Sequence, residues 1–258
     1  MVWKVDRELA VLLGSGSRAL LMQIAHPKIA AAVAEHSGFR SDPLGRLQRT
    51  LSGIYTFAFA DADRATHIVQ SIGRRHQHVN GMTACGEPYT ALDPHLLLWV
   101  YATLIDSSLL AYDTFVGPLS PIERERYYAE MCAYGPLWGI PPAEFPSSLV
   151  ELRAWMHALI DDGEVHVTSQ ARELAKDILR PPVRWLPSAI WLPLEPMTAW
   201  LLPHPIRDGF GLSWSRRRER MMQSVALASR ALVPHLPPVV RDLPQFRAAQ
   251  RRVRLYGL

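Results

Sequence analysis

Cysteine is scarce in this chain: Cys85 and Cys132 are the two among 258 residues. Two cysteines outside any C-x-x-C pair exclude a disulfide scaffold and predict a reduced, cytoplasmic protein. Strand signals are scarcer still, with Glu164-Val165-His166-Val167 the one short alternating run, which argues against sandwiches, barrels and βαβ architectures. The longest apolar stretch, from Trp185 to Pro203, is interrupted by Pro187, Pro193, Glu195 and Pro196. No transmembrane segment is therefore expected there. The first reading is a loop and short helix packed on the core, and the alternative is a membrane-surface or apolar-ligand role. Acidic Asp6 and Glu8 stand where a secretory signal would be apolar, so export is not expected. Acidic and basic residues nearly balance at a net +4, but unevenly: residues 207–258 hold 11 Arg against Asp208, Glu219 and Asp242, a net +8. The first 206 residues are net −4, so nucleic acid is not an expected partner of the main body, and any basic partner surface is C-terminal.

What the chain has is helical periodicity. A hydrophobic content of 48% with 20% charge specifies a folded core. The expected fold is all-α, a single multi-helix domain over residues 1–258 whose most arbitrary edge lies near 181–208. Ser15 or Ser17 is expected to cap a helix reaching Glu35, and Asp42-Pro43 to open one over about 43–59. Asp61 or Asp63 opens the next, ending near Gly81. Asp93-Pro94 starts a helix whose apolar residues, Leu96 to Leu110, go all the way round, the pattern of a buried central helix. Further helices are expected at about 120–134, 147–161, 168–180 (capped by Thr168), 214–233 and 242–255.

Most familiar catalytic patterns are missing. Gly14-Ser15-Gly16-Ser17-Arg18-Ala19 has the letters of a dinucleotide fingerprint but follows a helical segment with no βαβ context, so it reads as a helix break and cap. There is no H-E-x-x-H, G-x-S-x-G or Walker A lysine, and no Glu has a His three residues later as a ferritin-like di-iron site needs. Among ten histidines, helical phase singles out His76. Ala65, Val69, Ile72 and Val79 fall within about 60° of it at 100° per residue, whereas His67 and His78 lie opposite. Such a histidine is either a hydrogen-bonded core residue or a ligand. Arg46, Arg49 and Thr50 share one side of the preceding segment beside Leu47 and Ile54. Two guanidiniums next to a core need anions: acids such as Asp61 or Asp106, or propionates, phosphate or an oxygen-derived anion.

The order His26-Pro27, His36-Ser37-x-Phe39, Asp42-Pro43-x-x-Arg46-x-x-Arg49-Thr50, His76-x-x-Val79-x-Gly81 and Tyr89-x-Ala91-x-Asp93-Pro94-x-x-x-x-Trp99-Val100 resembles the MpaB and rubber-oxygenase (latex-clearing-protein) family. The likeness continues through Tyr127-Tyr128-x-Glu130, Gly139-Ile140-Pro141, Pro146-x-Ser148 and Leu202-Pro203 to Arg207, most of the chain. The resemblance implies a globin-reminiscent helical bundle around haem b. Its proximal iron ligand is the histidine of an H-x-x-V motif, here His76, with His26 and His36 in reserve. It implies a distal R-x-x-K-T segment, here Arg46, Arg49 and Thr50, with arginine in the lysine position. Arginine stays charged and suits a carboxylate or propionate better than a mobile or deprotonated lysine role.

The expected function is a haem-dependent oxygenase acting with dioxygen on an apolar, unsaturated or isoprenoid-like small molecule, entering near Trp185–Pro203. The alternatives are a non-catalytic haem- or lipid-binding helical protein, and a helical interaction module using Arg216-Arg217-Arg218-Glu219-Arg220 and Arg251-Arg252-x-Arg254 on anionic lipid or nucleic acid. Oligomeric state has no signature in the sequence.

Overall fold

The structure is a computed structural model and describes residues 1–36, 57–180 and 191–256. It is all-α apart from one small hairpin. The helices are α1 (Val2–Asp6), α2 (Leu9–Ile24), α3 (Pro27–His36), α4 (Ala62–His76), α5 (Pro94–Phe115), α6 (Pro121–Tyr134), α7 (Leu149–Asp161), α8 (Ser169–Leu179), α9 (Leu194–Leu201), α10 (His204–Gly209), α11 (Arg216–Leu232), α12 (Pro238–Arg241) and α13 (Pro244–Tyr256). Strands β1 (Asn80–Met82) and β2 (Pro88–Thr90) pair antiparallel, Gly81 opposite Tyr89.

Asp61, Asp93, Ser120 and Thr168 open helices as the sequence predicts, and Ser148 and Ser215 are caps that the sequence reading did not name. Asp61, Asp93, Ser120, Ser148, Thr168 and Ser215 each accept a hydrogen bond from a first-turn amide, satisfying donors that the helix itself leaves open. Pro94 and Pro121 follow their caps inside the first turn, where a missing amide hydrogen costs nothing.

Helix α5 is the buried centre. Leu98, Trp99, Ile105 and Leu109 are enclosed, and α2 lies along it over the longest seam among the described residues. By length and composition α5 could cross a membrane; here other helices surround it. Gly14 permits the close approach of α2, since a Cβ there would stand 2.6 Å from Cε2 of Phe115 and 3.2 Å from Cβ of Ala111. The glycines of the fingerprint-like run are therefore inside a helix, and Gly14 serves packing.

Three boundaries differ from expectation. Helix α2 starts at Leu9, with Ser15 and Ser17 buried in its interior instead of capping it. The expected continuation to Glu35 breaks at Ala25–His26 because Pro27 restricts the residue before it and restarts the chain as α3. The helix expected to run to Gly81 ends at His76, and residues 80–82 pair in the hairpin instead. The alternating run at 164–167 forms no strand: Gly163 turns with φ +78°, and the Val165 amide returns to the Leu159 carbonyl at 2.8 Å.

Candidate functional site

Helix α4 is amphipathic without being enclosed. Ala65, Val69, Ile72, His76 and the following Val79 are half-buried, whereas His67 and His78 are exposed, so the helical phase read from the sequence is the observed one. His76 is the last residue of α4. Its carbonyl accepts from the Val79 amide at 3.0 Å, and its ring has no hydrogen-bond partner among the described residues. Burial first, and Arg75 beside it, hold the imidazole below its ordinary pKa. The consequence is a neutral ring with an available lone pair, the form in which histidine ligates iron. As a donor, His76 fits a haem iron.

The chain leaves His76 through a short turn into β1, and this hairpin is fastened to the end of α3. The Tyr89 hydroxyl donates to Oε2 of Glu35 at 2.5 Å, and burial together with that carboxylate pushes Tyr89 up to about 12. Gly81 lies opposite: a Cβ there would be 2.6 Å from the Tyr89 oxygen and 2.9 Å from Oε2 of Glu35. His36 Nε2 lies 3.0 Å from the Asn80 carbonyl, where a ring N–H donates. Thus His36, Gly81 and Tyr89, far apart in sequence, meet at one clasp. Sequence reasoning missed Glu35, because an acid at the end of an Ala-rich helix looks solvated.

His26 sits elsewhere, buried between α2 and α3. Its Nδ1 accepts from the Lys28 amide at 3.3 Å, and its Nε2 is 3.4 Å from Oε1 of Glu164 without a formed hydrogen bond. His95 Nε2 reaches the same oxygen at 2.7 Å. Burial, only partly opposed by Glu164, lowers the His26 pKa. No hydrogen bond or ring contact joins His76 to His26 or His36 among the described residues. Nor do three or more His, Cys, Asp or Glu side chains there form a group able to hold a metal ion.

Arg46, Arg49 and Thr50 lie outside the described residues. The acids offered above as their ordinary partners are engaged: Asp61 caps α4, and Asp106 binds Arg18 at 2.7 Å and Arg153 at 2.8 Å. Burial pushes the Asp106 carboxyl up, but the two guanidiniums outweigh it and hold the group below its usual range. In the apolar segment, Trp185 is also outside the described residues. Trp200 donates to Oε1 of Glu219 at 3.0 Å and stacks edge-on to Phe115, which is packing.

Residues 3–231 match the family described as "ER-bound oxygenase mpaB/B'/Rubber oxygenase, catalytic domain". The chain belongs to that family. An uncharacterized protein of Mycobacterium bovis and one of Mycobacterium tuberculosis are each 26% identical to it over 231 residues, covering 84% of this chain and 88% of theirs. No solved structure matches. Several mpaB/rubber-oxygenase motif residues prove structural. Trp99 Nε1 donates to the Met22 carbonyl at 3.1 Å, Tyr127 to Asp6 at 3.1 Å and Tyr128 to the Pro146 carbonyl at 2.6 Å. Gly139 takes the φ of +85° that ends the 3-10 turn Gly135–Trp138.

Proposed function

We propose that this member of the oxygenase family binds haem b through His76 and oxidises an apolar, unsaturated or isoprenoid-like small molecule with dioxygen. The observation that carries the reading is the half-buried imidazole at the end of α4, in the H-x-x-V position, with no hydrogen-bond partner among the described residues. Both reserve histidines have other partners: His36 the Asn80 carbonyl, His26 the Lys28 amide and the Glu164 carboxylate. Haem, when bound, supplies the oxygen activation that no side chain here can provide. His76 would hold the haem iron through its imidazole nitrogen. The Glu35–Tyr89–Gly81 clasp holds the hairpin into which the chain runs after α4. Arg46 and Thr50 belong to the distal side in this reading. Arg49, always charged, holds a propionate carboxylate.

The test is an absorption spectrum with a pyridine-haemochrome assay of the purified protein and of His76→Ala. The expected result is a Soret band and stoichiometric haem in the parent, with haem lost and helical circular dichroism kept in the variant. Full haem occupancy and an unchanged Soret band in His76→Ala would remove it as ligand. Oxygen consumption with an apolar alkene then separates an oxygenase from a haem carrier, which shows none.

A further inference from the structure

Helix α11 has two faces with different fates. Met222 and Ala226 are buried, the Ser229 hydroxyl donates to the Phe115 carbonyl at 2.7 Å, and Arg230 Nε donates to the Thr114 carbonyl at 3.1 Å. These residues dock the helix on the end of α5. At 100° per residue, Arg217, Arg220, Met221, Leu227 and Leu232 fall on the opposite side. The exposed apolar residues of α11 are large: Met221, Val225, Leu227 and Leu232 are 46% to 66% accessible, with the exposed Ala228 and Ala231 between the two leucines. Contiguous apolar surface of this kind marks an interaction site, whereas scattered single residues do not.

The first turn of α11 is just as unusual. Arg216, Arg217 and Arg218 stand at the positive end of the helix dipole, where cations are disfavoured. The acid among them is already occupied: Glu219 accepts from Trp200, Trp214 and Gln223, each at 3.0 Å. Arg218 reaches the Ser213 carbonyl at 2.5 Å. Arg216 and Arg217 are exposed and have no side-chain partner among the described residues. Stability therefore gains nothing from their charges, which remain free for an external anion.

We infer that the outer face of α11 docks on an anionic phospholipid membrane surface. The basic first turn meets headgroup phosphates, and Leu227 and Leu232, further along the helix, enter the acyl boundary. A basic helix with an apolar half gains from both charge attraction and apolar burial at such a surface. A second copy meeting face to face would bring unpaired arginines near one another within a +8 segment. A nucleic acid would leave the leucines and Val225 exposed. This inference is independent of whether His76 holds haem.

Cosedimentation of the full-length protein with vesicles of phosphatidylcholine and phosphatidylglycerol, about 3:1, tests it at about 0.1 M salt. Binding is expected there, at least about tenfold weaker with phosphatidylcholine alone, and weakened again by salt. Arg216→Glu with Arg217→Glu, and separately Leu227→Glu with Leu232→Glu, should each reduce binding by about tenfold or more while melting temperature and circular dichroism stay at parent values. Ile122→Glu, at the 81% exposed residue of α6, should leave binding unchanged. Failure to bind anionic vesicles overturns the inference, and so does binding that survives both double variants. A self-association lost in the leucine variant would assign the face to a second copy, and salt-sensitive binding to a duplex oligonucleotide without vesicle binding would assign it to nucleic acid.

Discussion

Asp6 shows how one side chain sets a pH dependence for the fold. It closes α1 and accepts a hydrogen bond from Tyr127 at 3.1 Å. Burial pushes its carboxyl up to about 7 against the opposing pull of that hydroxyl and the chain's amino terminus. The unfolded chain releases this proton near the ordinary value of 3.8, so between about pH 4 and 7 the folded state binds more protons than the unfolded one. Stability from this group is greatest below about pH 4 and is lost as pH rises through 7. Because Asp6 is only half-buried, solvent screening limits the effect to on the order of 1–2 kcal/mol. Asp6→Asn keeps an acceptor for Tyr127 and cannot titrate. Thermal melts at pH 5 and pH 8 are expected to show the variant gaining on the parent by several degrees at the higher pH. An unchanged difference would mean that Asp6 is solvated. The sequence exposed the type of this residue but not its setting, since the partner lies 121 positions away. His76 was legible because its phase is local, and the Glu35–Tyr89 bond was not, because hairpin and helix meet only in the fold.

At the scale of elements, α2 separates what periodicity reveals from what it hides. Leu20, Ile24, Ile29 and Val33 recur at steps of four, five and four, and the one five-residue step falls on the break; close to the helical period, it merged α2 and α3 in the sequence. The caps Asp61, Asp93, Ser120 and Thr168 were legible because they act within four residues, whereas Ser15 and Ser17 carry the same residue type inside a helix. The start of α2 was not, because Glu8, its N-cap, makes no side-chain cap bond and is instead buried against Arg241. The two glycines of α2 make a direct test of the α2–α5 seam. Gly16 has nothing within 4 Å of an added Cβ, so Gly16→Ala should gain about 0.5–1 kcal/mol from lower backbone entropy in the unfolded chain. Gly14→Ala gains the same propensity but drives a methyl into Phe115, and is expected to lose about 1–3 kcal/mol overall. Denaturant melts of the two variants should therefore move in opposite directions. Equal stabilisation would show that α2 does not lie this close to α5.

On the whole-molecule scale, the chain beyond the family match at residue 231 returns to the start. Phe246, Leu243 and Ala249 form a second small core with Phe59, against which Leu9 and Leu12 pack, and Trp3 meets both Phe59 and Phe246 edge-on. Glu8 lies fully buried in this region. Arg241 grips it with Nε 2.8 Å from Oε2 and Nη2 2.7 Å from Oε1, a two-pronged pair joining residues 233 positions apart. An exposed pair would contribute little, but a buried carboxylate stripped of its partner costs about 3–5 kcal/mol. Arg241→Met is accordingly expected to destabilise the protein by that order. Arg7 Nε, 3.3 Å from Oε1, stays as the weaker partner of Glu8, so Glu8→Gln in the same chain removes an under-compensated buried charge and should recover part of the loss. The cycle is read by urea unfolding of the parent, both single variants and the double variant. Strict additivity of the single losses would mean that the two side chains do not meet.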